Sequence, residues 1–257
     1  PPSPNEVSFV GGPTEGINLV AQSWGRSQLR PGDRIMLSVL EHHSNIVPWQ
    51  LIAERTGAEI DVAPLTEDGR IDLDAMAAML TERHEMVALA HVSNVLGSVL
   101  DARRAAQLAH RVGAKLLLDG CQAVPRMPVD VAEIGCDFYV FSGHKLYGPT
   151  GIGVLWGRPE LLEAMPPWEG GGAMIEKVTF EGTSYAPPPQ RFEAGTPHVV
   201  GVGAPDAGSA YVVGIGLDRD GQVPEVRPDG ELLDVHAEAG IVADFRLLAA
   251  DQGQVVE

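Results

Sequence analysis

The chain has 257 residues and a formal net charge of −17, with 18 Lys and Arg against 35 Asp and Glu. This balance, without a basic cluster, argues against a nucleic-acid backbone or an anionic membrane surface as a partner and leaves small molecules and proteins. The length allows one large α/β domain with an ample core. Both cysteines, Cys121 and Cys136, lie in apolar segments, which favours a reducing cytoplasm over a secreted disulfide framework or a zinc site.

The two ends of the chain carry little sign of a membrane or export role. No apolar run approaches the roughly 20 residues of a membrane helix, and the Pro-Pro-Ser-Pro start lacks the order of a signal peptide. A start without methionine indicates a fragment. We expect a domain over residues 1–203 and, because Asp, Glu, Gly and Pro dominate beyond it, a poorly ordered acidic tail over 204–257 with a possible helix at 231–238.

Strand and helix patterns alternate along the first part of the chain. Apolar runs predict strands at 7–10, 34–40, 59–63, 86–91, 115–119 and 138–141. Amphipathic segments between them predict helices at about 13–24, 49–56, 72–80 and 101–112. Alternation with nearly all-apolar strands predicts an α/β fold, a mainly parallel sheet covered by helices on both faces. The run 152–156 could return antiparallel, and a flap or rim follows it.

The most suggestive reactive group is Lys145. The apolar strand 138–141 stops abruptly at Ser142-Gly-His-Lys145, which places the lysine at a carboxyl strand end, where open α/β sheets bind ligands. Asp119 ends the preceding strand. An amine and a neighbouring carboxylate are the pair that pyridoxal 5′-phosphate requires, one for the Schiff base and one to keep the ring nitrogen protonated.

Other polar groups follow the remaining strand ends and could complete such a site. The helix start at Gly12-Pro13-Thr14, with Ser142 and His144, could hold a phosphate, and His42 could cover one face of the ring. Each group alone has an ordinary interpretation: Lys145 as a solvated lysine, Asp119-Gly120 as a turn and Gly12-Pro13-Thr14 as a helix start without a ligand. Asn94 and Gln122 alone are interpreted as turn or capping residues, and His42-His43 as a surface pair, with a metal site as the less favoured alternative. Their joint occurrence at successive strand ends favours a cofactor site.

Six motifs between Val7 and Pro197 then carry a family resemblance. The chain resembles the group II cysteine desulfurases, also called selenocysteine lyases, of the class V aminotransferase superfamily. The motifs are Thr14-Glu-Gly-Ile-Asn-Leu-Val20, Glu41-His-His-Ser-Asn-Ile-Val-Pro-Trp49, His91-Val-Ser-Asn94, Asp119-Gly-Cys-Gln122, Phe141-Ser-Gly-His-Lys-Leu-Tyr-Gly-Pro-Thr-Gly151 and Arg191-Phe-Glu-Ala-Gly-Thr-Pro197. The resemblance implies the type I pyridoxal-phosphate large domain and removal of sulfur from L-cysteine to give L-alanine and an enzyme persulfide, with L-selenocysteine as the alternative substrate.

The same resemblance implies a role for each matched residue. It makes Lys145 the covalent anchor and proton shuttle and His42 the ring-stacking residue, and these two the catalytic residues. It assigns Asp119 to the pyridinium nitrogen, Gln122 and Asn94 to the phenolic oxygen, and the phosphate to Thr14, Ser142 and His144. Thr196 matches a residue presented to the partner subunit's phosphate, which implies a homodimer. A sulfur-acceptor protein and a role in iron–sulfur cluster assembly are implied as well.

The chain also departs from the family pattern. The cysteine loop of the form Arg-x-Gly-His-His-Cys and the following carboxylate-binding arginine are missing, and Pro13 replaces a usual threonine. We interpret Cys121 and Cys136 as packed small residues. The first hypothesis is therefore a cysteine desulfurase impaired in this fragment. The alternatives are a non-catalytic pyridoxal-phosphate-binding remnant and another class V lyase such as kynureninase.

Overall fold

A seven-stranded sheet forms the centre of the protein. The computed structural model describes residues 3–198, and in it the strand order is β1-β7-β6-β5-β4-β2-β3. The strands are β1 Val7–Val10, β2 Arg34–Ser38, β3 Glu59–Ala63, β4 His84–Ala90, β5 Lys115–Asp119, β6 Phe138–Ser142 and β7 Gly153–Gly157. A separate antiparallel pair, β8 Ile175–Val178 and β9 Thr183–Tyr185, lies in the region expected to form a flap or rim.

Strand direction determines where the polar strand ends meet. The pairs β2–β3, β2–β4, β4–β5 and β5–β6 are parallel, whereas β7 is antiparallel to both β6 and β1. Strand β7 alone therefore runs against the other six, which confirms the predicted mainly parallel sheet and the antiparallel return. The carboxyl ends of β1, β2, β4, β5 and β6 consequently lie at one edge.

The helices follow the predicted alternation with small changes at their ends. They are α1 Pro13–Val20, α2 Arg26–Gln28, α3 Val47–Thr56, α4 Leu73–Met79, α5 Ala102–Arg111, α6 Val131–Ile134 and α7 Pro159–Ala164. A π-helical segment, Ala21–Gly25, joins α1 to α2, so the helical path is longer than the predicted 13–24. Asp72, Asp101 and Asp130 accept backbone N–H groups as N-caps, which explains why α4, α5 and α6 start where they do.

Two apolar layers cover the sheet. Side chains of α1, α3 and α7 pack with one face in a cluster that includes Ile17, Trp49 and Leu162. Side chains of α4, α5 and α6 pack with the other face, with Met76 and Leu108 among them. Burial on both faces explains the continuous apolar strands and confirms the predicted coverage by helices.

A buried carboxylate fixes the two central strands at the edge opposite the polar strand ends. Asp137 Oδ2 accepts hydrogen bonds from Leu116 N and His110 Nε2, each at 2.7 Å, and Arg158 Nε lies 3.2 Å from Oδ1. These contacts join the starts of β5 and β6 to α5 and to the end of β7. They hold in register the two strands that end at Asp119 and Ser142.

The predicted tail over 204–257, including the possible helix at 231–238, lies outside the described residues. Within residues 3–198, no helix combines the length and the apolar composition that crossing a bilayer would take.

Candidate active site

Lys145 lies on a short 3₁₀ turn directly after the central strand β6. The turn spans Gly143–Leu146 and ends at Tyr147, whose backbone has φ of 60°. Lys145 is half-buried and borders a cavity of about 400 Å³, which is also lined by Gln122, Pro125, Arg126 and Tyr147. This volume lies within the usual range for small-molecule sites. Two predicted site residues, Lys145 and Gln122, therefore share one cavity.

Asp119 ends β5, next to the strand that carries Lys145. It is buried, and its Oδ1 accepts a hydrogen bond from Cys121 N at 2.9 Å. Its backbone is also held: His91 N donates to Asp119 O at 2.9 Å, and Gly120 N donates to Val140 O at 2.8 Å. Strands β4 and β6 thus fix the position of this carboxylate from both sides.

A buried pair of rings packs against the turn that follows Asp119. The Tyr139 hydroxyl lies 2.9 Å from His91 Nδ1, and the two rings meet edge to face. Burial lowers the pKa of His91 and raises that of Tyr139, so both are neutral near pH 7. A Cβ atom on Gly120 would lie 2.1 Å from Tyr139 Cε1, so only glycine fits there. Sequence reasoning placed Gly120 in a turn and did not identify this packing constraint.

The start of α1 has no side-chain cap, and a carboxylate of its own first turn lies beside it. Its N-cap, Gly12, offers no side-chain hydrogen bond, and the Glu15 carboxylate accepts the Gly11 N–H at 2.6 Å. The Gly11 N–H therefore already binds a negatively charged group, the Glu15 carboxylate. Gly153 packs so closely that a Cβ there would lie 2.8 Å from Gly12 Cα. Thr14 is exposed on the first turn of α1.

Ser142 and His144 come from the β6 end of the same edge. Ser142 is buried, and its Oγ has no hydrogen-bond partner among residues 3–198, whereas His144 is exposed. A buried hydroxyl without a partner is costly unless a ligand or water completes it. Together with the uncapped start of α1, the Ser142 hydroxyl fits a group that carries an anionic phosphate.

His42 and Asn94 are exposed on turns after β2 and β4. His42 Nδ1 accepts the Ser44 N–H at 3.2 Å and lies 2.8 Å from Ser44 Oγ, so the neutral ring carries its proton on Nε2. Asn94 follows Ser93, whose Oγ accepts the amides of Val95 and Leu96. Both residues lie at the edge of the sheet where Asp119 ends β5 and where Lys145 follows β6.

Thr196 lies on a segment that is held to β1 and to the loop at Gly172. Glu193 Oε1 accepts the Phe9 N–H of β1 at 2.7 Å, and Gly195 N donates to Gly172 O at 2.9 Å. Burial raises the pKa of Glu193 to about 6. Thr196 itself is exposed, so a second molecule could reach it. Sequence reasoning missed Glu193 as the anchor of this segment.

Glu41 is the second carboxylate that sequence reasoning missed. In the sequence it is only the first residue of the motif that runs from Glu41 to Trp49, yet it is 7% exposed and accepts hydrogen bonds from the Ser38 hydroxyl and from Asn45 Nδ2. Burial, with a smaller contribution from the charge of Asp119, raises the pKa of Glu41 to about 7 against these hydrogen bonds. Its position directly before the His42-His43 pair was the available signal.

Neither cysteine is a ready nucleophile. Cys121 and Cys136 are both buried. Burial raises the pKa of the Cys121 thiol well above its usual range; nearby Asp119 adds to the effect and Lys145 opposes it. Burial also raises the pKa of Cys136 to about 12. Since the thiolate is the reactive form, both are packed side chains in this structure.

The described residues contain no group of three or more His, Cys, Asp or Glu side chains that could hold a metal ion. The exposed His42 and His43 rings lie 5.8 Å apart between centroids and have no third ligand of this kind among residues 3–198.

The fold and this edge together define the large domain of the type I pyridoxal-phosphate-dependent enzymes. A family model for aminotransferase class-V matches residues 2–223, so the chain belongs to that family.

Curated relatives and solved structures point to one branch of the family. The chain is 56% identical over 201 residues to a cysteine desulfurase of Dickeya dadantii, covering 78% of this chain and 49% of the relative. A similar cysteine desulfurase of Cronobacter sakazakii is 55% identical over 200 residues, covering 77% and 49%. The chain therefore spans about half the length of the curated relatives it matches.

Among solved structures, the cysteine desulfurase CsdA from Escherichia coli superposes with a TM-score of 0.77 at 47% identity, covering 78% of this chain and 50% of CsdA. The apo cysteine desulfurase from Thermococcus onnurineus gives 0.71 at 37% identity, covering 76% and 48%. C-DES, solved as a variant with glycine covalently linked to its PLP cofactor, gives 0.68 at 27% identity, covering 76% and 52%.

The contact between Gly120 and Tyr139 gives a first prediction. Gly120→Ala should lower the free energy of unfolding by about 3 kcal/mol, because the new methyl group overlaps a buried ring held by His91. The same change in a Tyr139→Leu background should cost less than about 1 kcal/mol, because the ring is gone. Tyr139→Phe is the matched control, since it keeps the overlapping ring carbons. Urea denaturation with and without Gly120→Ala in the three backgrounds, the parent, Tyr139→Leu and Tyr139→Phe, measures the coupling, and equal costs of Gly120→Ala in all three would contradict the contact.

The raised pKa of Glu41 gives a second prediction. The folded state holds a proton on Glu41 up to about pH 7, whereas the unfolded chain loses it near pH 4.5. The stability that comes from the protonated Glu41 is therefore complete below about pH 4.5 and is lost as the pH rises to about 7. Glu41→Gln removes the titration. The free energy of unfolding of this variant, relative to the parent chain, should rise by roughly 3 kcal/mol between pH 4.5 and 8, since one pKa unit is about 1.4 kcal/mol. A difference that stays constant with pH would show that Glu41 is not buried as an acid.

Proposed function

We propose that this chain binds pyridoxal 5′-phosphate covalently at Lys145 and belongs to an enzyme that removes sulfur from L-cysteine to give L-alanine and a persulfide. The observation that carries the proposal is the placement of the buried Asp119 at the end of β5 and of Lys145 on the turn after the adjacent β6, where Lys145 lines a cavity of about 400 Å³. Membership of the aminotransferase class-V family and the cysteine desulfurases among its relatives support the substrate.

Each proposed role follows from the position of a side chain. Lys145 supplies the amine at the mouth of the cavity and can move a proton through its Nζ. Asp119, buried and fixed on both sides, would hold a proton on the ring nitrogen. When bound, pyridoxal phosphate supplies an electron sink for charge that develops at the substrate Cα. Loss of the Asp119 carboxylate should therefore slow the chemistry more than it weakens cofactor binding.

The remaining predicted residues would orient the cofactor. The exposed His42 ring would cover one face, and Gln122 and Asn94 would approach the phenolic oxygen. The phosphate would take the uncapped start of α1 and the unpartnered Ser142 hydroxyl, with Thr14 and His144 beside it. Thr196, exposed on its anchored segment, would serve the phosphate of a second copy in a homodimer.

The sulfur-accepting step is the part that these residues do not supply. The sequence has two cysteines, and both are buried with raised thiol pKa values. We therefore propose that this chain by itself forms little persulfide. We further propose, from the motif resemblance to group II cysteine desulfurases, a cytoplasmic homodimer that can act on selenocysteine as well as cysteine and delivers sulfur to an acceptor protein for iron–sulfur cluster assembly.

Lysine substitution tests the cofactor proposal. The sequence has three lysines, at 115, 145 and 177, so the contribution of each can be measured separately. Adding pyridoxal phosphate to the parent chain should produce the visible absorbance band of a protein-bound Schiff base, and Lys145→Ala should abolish it. Lys177→Ala on the exposed strand β8 is the matched control and should keep the band. A band that survives Lys145→Ala unchanged would show that the site is wrong.

A persulfide assay tests the limit on activity. With L-cysteine and pyridoxal phosphate, thiol labelling followed by mass spectrometry should find no more persulfide on the parent chain than on a variant with both cysteines changed to serine. The physical reason is that a buried thiol with a raised pKa is a poor nucleophile. Strong persulfide formation on Cys121 that disappears in Cys121→Ser would contradict this limit.

A further inference from the structure

A buried carboxylate beneath the His42 turn has no part in the chemistry proposed above. Glu41 directly precedes His42, and its side chain is enclosed by protein. Its Oε1 accepts a hydrogen bond from the Ser38 hydroxyl, and its Oε2 accepts one from Asn45 Nδ2 at 2.7 Å. Both carboxylate oxygens are therefore bound to other side chains of this region.

These two hydrogen bonds connect three parts of the fold. Ser38 is the last residue of β2, and Asn45 lies in the turn before α3. Asn45 Oδ1 in turn accepts a hydrogen bond from Trp49 Nε1, on α3, at 2.9 Å, and the Trp49 side chain is completely buried. Through Glu41, the turn is tied to the sheet on one side and to a rigid helix on the other.

Among residues 3–198, the backbone hydrogen bonds within the turn are short-range. Asn45 N donates to His42 O at 2.7 Å, and Ile46 N donates to His43 O at 3.1 Å. The His42 and His43 rings are exposed. The Ser38–Glu41–Asn45–Trp49 chain of hydrogen bonds is thus the side-chain link that fixes the direction in which this turn leaves the sheet.

We propose that Glu41 is a positioning residue that holds the His42 ring over the cofactor site through its hydrogen bonds to Ser38 and Asn45. The ligand side of this inference rests on the proposed function, whereas the hold on the turn does not depend on it. Burying a carboxylate is costly unless its partners are well placed. A side chain at position 41 must form hydrogen bonds with both Ser38 and Asn45. Glutamine can also form both, because a serine hydroxyl can either donate or accept a hydrogen bond.

The test compares Glu41→Met, which keeps the length but removes both acceptors, with Glu41→Gln. Two quantities are measured: amide hydrogen exchange of the peptide containing Asn45 and Ile46 in cofactor-free protein, and the Kd for pyridoxal phosphate from absorbance titration. Glu41→Met should speed the exchange and raise the Kd by about tenfold, which corresponds to about 1.4 kcal/mol. Glu41→Gln should return both quantities close to those of the parent chain.

Glu6 offers a matched control. It is also a buried glutamate, 2% exposed, and its Oε2 accepts the indole N–H of Trp156 at 2.9 Å. It precedes β1, and Trp156 lies near the end of the antiparallel β7, so this pair is at the opposite edge of the sheet. Glu6→Met should lower stability while leaving both the Kd and the exchange of the Asn45 peptide unchanged.

The outcomes separate this inference from the proposed function. Unchanged hydrogen exchange and an unchanged Kd in Glu41→Met would overturn the inference about Glu41. Equal effects of Glu41→Met and Glu6→Met would overturn it as well. If Glu41→Met does not fold, Ser38→Ala removes one of the two bonds, and it should give a smaller change in the same direction; no change would overturn the inference. If the parent chain binds no pyridoxal phosphate, the proposed function fails, while hydrogen exchange still decides whether Glu41 holds the turn.

Discussion

The shared direction of the strands is the constraint on which the site depends. Strands β2, β4, β5 and β6 are parallel neighbours. Strand β1 runs in the same direction, because β7 lies between β1 and β6 and is antiparallel to both. Residues that are far apart in the sequence therefore emerge at one edge. A single reversed strand among these five would move its polar end to the opposite edge, where Asp137 already joins β5 and β6.

The edge is made rigid by packing as well as by direction. Asp119 is fixed through the backbones of β4 and β6, and the Tyr139 ring lies so close to Gly120 that the turn after Asp119 has little freedom. Glu41 performs a similar task for the neighbouring turn, at the cost of a buried acid whose pKa is raised to about 7. The region thus combines a rigid base with exposed groups, which suits a site that must hold a flat, anionic ligand.

Much of this arrangement follows from the sequence. The apolar runs that end at Asp119 and Ser142 predict the strands β5 and β6, since continuous apolar segments of this length are typical of buried parallel strands. Strand β2 was predicted to extend to Leu40, but it ends at Ser38, whose hydroxyl is used by Glu41. Local hydrogen bonding ended the strand before the apolar pattern did.

The supporting contacts could not be predicted in the same way. Tyr139 and Glu193 act through partners 48 and 184 positions away in the chain, and no local pattern identifies such partners. Glu41 bonds to Ser38 and Asn45, three and four positions away, but its burial comes from the tertiary packing around the turn. The π-helical segment after α1 has no signal of its own in the sequence, because its residues suit an ordinary helix equally well. Polar residues at strand ends are therefore easier to find from the sequence than the buried residues that hold them.

The most direct measurement is the position of the cofactor on the protein. The parent chain is incubated with pyridoxal phosphate, reduced with borohydride and digested, and the modified lysine is identified by mass spectrometry. We expect a phosphopyridoxyl group on Lys145, with Lys115 and Lys177 unmodified at the same cofactor concentration. Modification spread over all three lysines, or confined to Lys115 or Lys177, would contradict it.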